Sequence, residues 1–188
     1  MIIRRILALA LCVFPAAVMV SGQEIPAGTE DAPIVVVAPI LSADGVPAGG
    51  TIKLAVKARI IPGWHINGPV QDDPFIIPSV LSCEEMEGLT VVETFYPEAR
   101  IARFGYSDGE IAFYDGDIVL GFLMQAAENA PAGPVTIKGR LSYQACDDES
   151  CLPPKSEPFE IEVVVVAAGT ATTELHSEIF AGIEFKKK

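Results

Sequence analysis

The chain is 188 residues long and half hydrophobic, with 13 Lys+Arg against 25 Asp+Glu, a formal charge of −12 and four cysteines. That length fits one compact domain with short appendages, and the apolar share is too high for a disordered chain. The acidity argues against non-specific binding to nucleic acid or anionic membranes, both of which need a basic patch.

Met1 to Gly22 reads as a secretory signal peptide. Arg4 and Arg5 form a positive n-region, Ile6 to Val20 is an uncharged apolar run, and Ser21 and Gly22 supply small residues before a cut at Gln23. The run is shorter than the roughly 20 residues that span a bilayer, and it contains Pro15, which disfavours a transmembrane anchor. Cys12 lacks a lipoprotein context, because Leu11 stands where such sites want a small residue. Removing 22 residues leaves 166, takes the charge from −12 to −14 with the loss of two arginines, and leaves three cysteines. The mature protein is expected to be soluble and exported to a compartment where disulfides persist. Residues 23–33 (QEIPAGTEDAP) read as a flexible linker.

Strand signals follow. Ile52, Leu54, Val56 and Ala58 alternate with Lys53, Ala55, Lys57 and Arg59; Val135, Ile137, Gly139, Leu141 and Tyr143 alternate with polar partners; Phe159, Ile161, Val163 and Val165 alternate with Glu160 and Glu162. Less regular candidates are 34–41, 75–81, 89–96, 111–114 and 117–125. Between them lie Pro62-Gly63, Asn67-Gly68-Pro69, Asp72-Asp73-Pro74, Ser107-Asp108-Gly109, Asp115-Gly116 and Ala132-Gly133-Pro134, which are turn signals. Many short strands with this punctuation and no intervening helices predict an all-β antiparallel sandwich over 34–168. A helical tail is expected in 169–188, with Thr173 capping a stretch at 172–183 that carries Leu175, Ile179 and Ile183. Lys186 to Lys188 form a short solvated basic end.

Cys146 and Cys151 lie in YQACDDESCLPP. If Asp147 to Ser150 form a hairpin loop, the two cysteines face each other with Cα atoms about 4.5–5.5 Å apart, a distance that permits a disulfide. A structural staple and a redox-active pair are both open. So small a ring gains only about 2 kcal/mol from loop closure, against almost 5 for a ring of about 100 residues. The thioredoxin arrangement does not apply: it needs two intervening residues and a following helix, whereas four intervene here and Pro153-Pro154 follow. Asp147, Asp148 and Glu149 crowd Cys146 and disfavour a thiolate, which predicts thiols that exchange only when a docked partner changes their surroundings. Zinc is disfavoured, since no second Cys pair exists and neither His65 nor His176 is near in sequence.

The segment resembles the N-terminal periplasmic domain of the DsbD-type thiol:disulfide interchange proteins (protein-disulfide reductases). Tyr143, Gln144, Cys146, Cys151, Pro153, Pro154 and the 159–166 strand carry the likeness, supported by Gly63-Trp64-His65-Ile66 and Pro134 to Gly139. The resemblance covers roughly residues 33–166. It implies an immunoglobulin-like β-sandwich in the periplasm that uses no cofactor, metal or small-molecule substrate. It also implies electron relay from a separate membrane donor, since the chain stops at Lys188 where the family continues. The implied acceptors are thioredoxin-like periplasmic proteins of the disulfide-isomerase or cytochrome-maturation type. Cys151 maps to the cysteine that enters mixed disulfides and Cys146 to the resolving one. Phe104 and Tyr106, in Arg103-Phe104-Gly105-Tyr106, match an aromatic cap loop that shields the pair; Tyr143, Asp147, Asp148 and Pro153 are its neighbours. The competing reading is a non-enzymatic immunoglobulin-like binding or assembly module with a structural disulfide.

Cys83 has no counterpart in the motif and reads as a buried free thiol. Trp64 and His65 read as structural residues. Asp72, Asp73, Asp108, Asp115 and Asp117 fall at turn signals, which explains them without calcium.

Overall fold

Alternation makes Thr51–Ile60 a strand (β3) whose Ile52, Leu54, Val56, Ala58 and Ile60 are buried while Lys57 and Arg59 reach solvent. In the computed structural model, which describes residues 33–183, β3 lies between β1 (Val35–Leu41) and β9 (Asp117–Ala126), with β6 (Leu89–Phe95) beyond β9. All pairs in this sheet are antiparallel. A second sheet runs β2 (Val46–Pro47), β12 (Lys155–Val166), β10 (Gly133–Tyr143), β5 (Val80–Cys83), with only the short β2–β12 pair parallel. Leu54, Val56, Leu120 and Phe122 of the first sheet share one buried cluster with Ile137, Leu141, Tyr143, Phe159 and Val163 of the second. The expected sandwich is therefore present: two layers closing on one apolar core.

Close approach explains Gly139. A Cβ there would lie 2.4 Å from the Phe159 ring and 2.6 Å from the Ser82 carbonyl, so only glycine lets β5, β10 and β12 lie flush.

A third, small sheet was not foreseen. It runs β11 (Ala145–Cys146), β4 (His65–Asn67), β8 (Ile111–Tyr114), β7 (Arg100–Ala102), all antiparallel. Three of its strands are two or three residues long, too short for any periodicity to register.

Two expectations need correction. The candidate strand at 75–81 begins only at Val80, because Pro74 and Pro78 deny ladder donors and Asp73 Oδ1 accepts the Phe75 N–H at 2.9 Å to make a turn. The helix expected at 172–183 is a single turn, α1 (Ser177–Phe180). Thr173 does not cap it; its N–H goes to Asp44 Oδ1 at 2.8 Å, and Leu175 N–H goes to the Ser42 carbonyl at 2.9 Å. The segment 172–175 is thus spent on the β1–β2 connection. Phe180 and Ile183, with Ala55 of β3, form a separate buried cluster, which is why Ala55 is buried despite lying on the polar side of the alternation. The signal-peptide and Cys12 readings, the linker up to Ala32 and Lys186 to Lys188 lie outside the described residues. No helix among the described residues is long and apolar enough to cross a membrane.

Candidate functional site: a disulfide hairpin beside an aromatic loop

The register of the third sheet assigns its two faces. Ala145 pairs with Ile66 and Ile66 with Tyr114, and all three join the sandwich core. The alternate residues face the other way: Cys146 pairs with His65, and Asn67 pairs with Phe113. This outer face carries the site.

β10 reaches it by leaving the second sheet at Gln144, whose side chain fixes the departure. Its Nε2 donates to the Leu152 carbonyl at 3.2 Å, and its Oε1 accepts from Asn67 Nδ2 and the Ile77 N–H, each at 3.3 Å. Past Cys146 the chain turns back as the expected hairpin. Asp147 N–H donates to the Ser150 carbonyl and Leu152 N–H to the Ala145 carbonyl, both at 2.9 Å. Cys146 and Cys151 form a disulfide with Cα atoms 4.0 Å apart. Inside the loop Asp147 Oδ1 accepts from the Glu149 N–H at 2.9 Å and the Ser150 N–H at 2.7 Å, and these donors hold the carboxyl below its ordinary range. Asp147 is thus the residue that shapes the loop. Cys146 is fully buried, whereas Cys151 is half-buried.

β4 starts from the Pro62-Gly63 turn, closed by Trp64 N–H to the Ile61 carbonyl at 3.2 Å, with Gly63 at φ +85°. It delivers His65, which is 5% exposed, beneath the loop Arg103 to Ser107. The His65 ring stacks on Phe104 at 4.2 Å between centroids, meets Phe113 edge-on at 5.4 Å, and its Nε2 lies 2.7 Å from the Tyr106 hydroxyl. Phe104 and Tyr106 are themselves stacked at 5.4 Å, and with Ile76, Ile111 and Phe113 they make a second apolar cluster outside the sandwich core. Gly105 N–H donates to the Asp148 carbonyl at 3.2 Å, so the aromatic loop is tied to the cysteine loop.

Electrostatics at the site are one-sided. Burial pushes the Tyr106 phenol up to about 12, reinforced by Asp148 and Asp147. Burial also lowers His65, against the opposing pull of Asp148, Asp115 and Asp147, so a neutral imidazole is favoured. Two open clefts flank the aromatic stack. One, of about 470 Å³, contains Cys151 with Tyr106, Phe75, Gln144, Asp73 and Asp108. The other, of about 580 Å³, contains Trp64, His65, Phe104, Phe113, Asp115 and Asp148. No group of three or more potential metal ligands occurs among the described residues.

The structure therefore brings Cys146, Cys151, Phe104, Tyr106, Asp147 and Asp148 to one place. Pro153 is exposed just beyond the hairpin. Tyr143 is not at the site: it is buried in the sandwich core, and its hydroxyl donates to Glu157 Oε1 at 3.1 Å. His65, read as structural from sequence, lies opposite Cys146, and Gln144 proves to be the hinge of the hairpin. The Trp-His segment was visible in the sequence; its pairing with β11 was not. Cys83 stands on β5, opposite Gly139, and is a free thiol that burial pushes up to about 11.

No family model matches the chain, and no curated protein matches its sequence. Among solved structures, the N-terminal periplasmic domain of ScsB from Proteus mirabilis is similar, with a TM-score of 0.51 at 12% identity over 86% of this chain and 59% of that one. The N-terminal domain of DsbD from Neisseria meningitidis, in the reduced form, matches with a TM-score of 0.42 at 18% identity, over 73% of this chain and 88% of that one. At these identities the likeness to the ScsB domain concerns the fold.

Proposed function

We propose that this chain is a periplasmic thiol:disulfide exchange domain of the DsbD N-terminal type, relaying electrons through Cys146 and Cys151. The observation that carries the reading is the asymmetry of the pair: a buried Cys146 and a half-buried Cys151 bridged at a tight hairpin beside an aromatic loop. A partner's thiolate can reach only the Cys151 sulfur without unfolding the sheet. Its attack forms a mixed disulfide with Cys151 and expels Cys146 as a thiolate, which takes up a proton. The partner's second thiolate then attacks the mixed disulfide and leaves Cys151 reduced. Two electrons and two protons have entered the domain, and the same steps in reverse deliver them onward.

Thioredoxin-like periplasmic proteins, of the isomerase or cytochrome-maturation kind, are the proposed partners. Periplasmic location is supported by the signal-like start of the sequence and by the stated location of the ScsB domain. The small ring supports exchange over stapling, because its closure stabilises the fold by only about 2 kcal/mol. Trapping tests the reading: Cys146→Ala should capture thioredoxin-like partners from periplasmic extract through Cys151, and Cys151→Ala should not. A pair potential between about −120 and −270 mV is expected. A potential below about −300 mV with no captured partner would leave a structural bridge in a binding module.

A further inference from the structure

We propose that His65 holds the aromatic cap shut over the Cys146–Cys151 disulfide, through its hydrogen bond to Tyr106 and its stack on Phe104, and so acts as a positioning residue for exchange. The inference deepens the exchange reading of the same site and concerns when the disulfide can be reached.

Among the described residues four polar tethers hold the loop Arg103 to Ser107, one of them a long surface ion pair from Arg103 Nε to the exposed Glu110 at 3.9 Å. Gly105 donates to the carbonyl of Asp148, but that loop carries the disulfide and must itself adjust during exchange. Ser107 Oγ donates to Asp73 Oδ2 at 3.3 Å, on a turn that ends in the 87%-exposed Phe75. Only the Tyr106–His65 hydrogen bond, at 2.7 Å, ends on a buried residue of the sheet. His65 also sits at the register position opposite Cys146, so its side chain and the buried sulfur share one face. Lifting the cap breaks the hydrogen bond and separates Phe104 from the imidazole in one movement. Closure is thereby coupled to a single residue adjacent to the resolving cysteine.

The coupling has a pH signature. Tyr106 above, Asp147 and Asp148 on the cysteine loop, and Asp115 on the β8–β9 turn, where it pairs with Arg100, are the titratable and charged groups around the imidazole. Burial among Phe104 and Phe113 outweighs the carboxylates and lowers His65 below its ordinary 6.5. A raised cap hydrates the ring and restores that value. The advantage of the closed state is therefore complete above about 6.5 and declines as pH falls from there through the closed-state value.

The test uses the full oxidised chain and tris(2-carboxyethyl)phosphine, a small reductant that needs no docking surface, with reduction followed by mass after alkylation. Tyr106→Phe and His65→Phe both keep an aromatic ring and lose the hydrogen bond. Each should be reduced about fivefold faster than wild type near pH 7.5, the double variant no faster than either alone, and the advantage should shrink as pH falls below the ordinary 6.5. Far-UV circular dichroism and urea midpoints establish that the variants are folded; Tyr106→Phe, at a half-buried position, is the milder change. Wild-type rates in folded Tyr106→Phe, effects that multiply in the double variant, or an advantage independent of pH would each overturn the proposal. Because no redox partner is involved, failure here leaves the trapping result untouched, and failure of trapping leaves this one standing.

Discussion

Cys146 and His65 occupy one register pair of the β4–β11 ladder, with Cys146 fully buried and His65 5% exposed. Neighbours across a ladder share a face, so the buried cysteine of the bridge lies beside the His65 position. Cys151, half-buried, lines the cleft that Phe75, Gln144 and Tyr106 of the aromatic loop also line.

That asymmetry predicts an order of modification. After mild reduction, iodoacetamide should alkylate Cys151 at least about tenfold faster than Cys146, since access and thiolate exposure set the rate. Peptide mapping of partially alkylated protein reads the ratio. Equal rates would mean that the hairpin opens as a unit and that burial does not assign the roles.

Asp147 predicts an acid limb of stability. Its carboxyl is held low by N–H donors of Glu149 and Ser150, so the folded state binds its proton more weakly than the unfolded chain does. Stability from this group is present above the ordinary carboxylate value of 3.8 and is lost as pH falls through the lower folded value. Urea midpoints between about pH 5 and pH 2 should fall less steeply in Asp147→Asn, which keeps an acceptor oxygen but cannot titrate, than in the wild type. An identical slope would show that the loop reorganises before the carboxyl protonates.

Cys83 should be a bystander. With its thiol pushed up to about 11, only about a thousandth of it is thiolate at pH 8. Native protein treated with a thiol-selective disulfide reagent should therefore label Cys83 slowly, and denaturant should accelerate labelling. Cys83→Ala should leave the potential of the Cys146–Cys151 pair unchanged. A shifted potential would place Cys83 in the relay.

Gly139→Ala should destabilise the domain by about 1–3 kcal/mol, because the new methyl meets the Phe159 ring at 2.4 Å and the Ser82 carbonyl at 2.6 Å. Chemical denaturation measures the loss directly. The pair potential should not move, since the substitution sits in the second sheet and the bridge in the third. Phe180→Ala gives the matching test at the other surface. Removing that buried ring from its cluster with Ala55 and Ile183 should cost about 3 kcal/mol.

The long sandwich strands were legible in the residue pattern alone. β3, β10 and β12 are long enough to display alternation, and a half-buried strand must alternate because successive side chains take opposite faces. The cysteine spacing permitted a bridge across a four-residue hairpin loop, and the structure forms it, with Cα atoms at 4.0 Å, closer than the roughly 4.5–5.5 Å expected. What surrounds the bridge was decided only by tertiary structure. β4 and β11 hold three and two residues, and their partnership spans about eighty positions of chain, so no local pattern records it. Tyr143, one residue from the hinge, went to the core because alternation turned it inward, whereas His65, far away in sequence, went to the disulfide because β4 entered the third sheet. Short strands are held by neighbours rather than by their own propensity, and it is short strands that build this site.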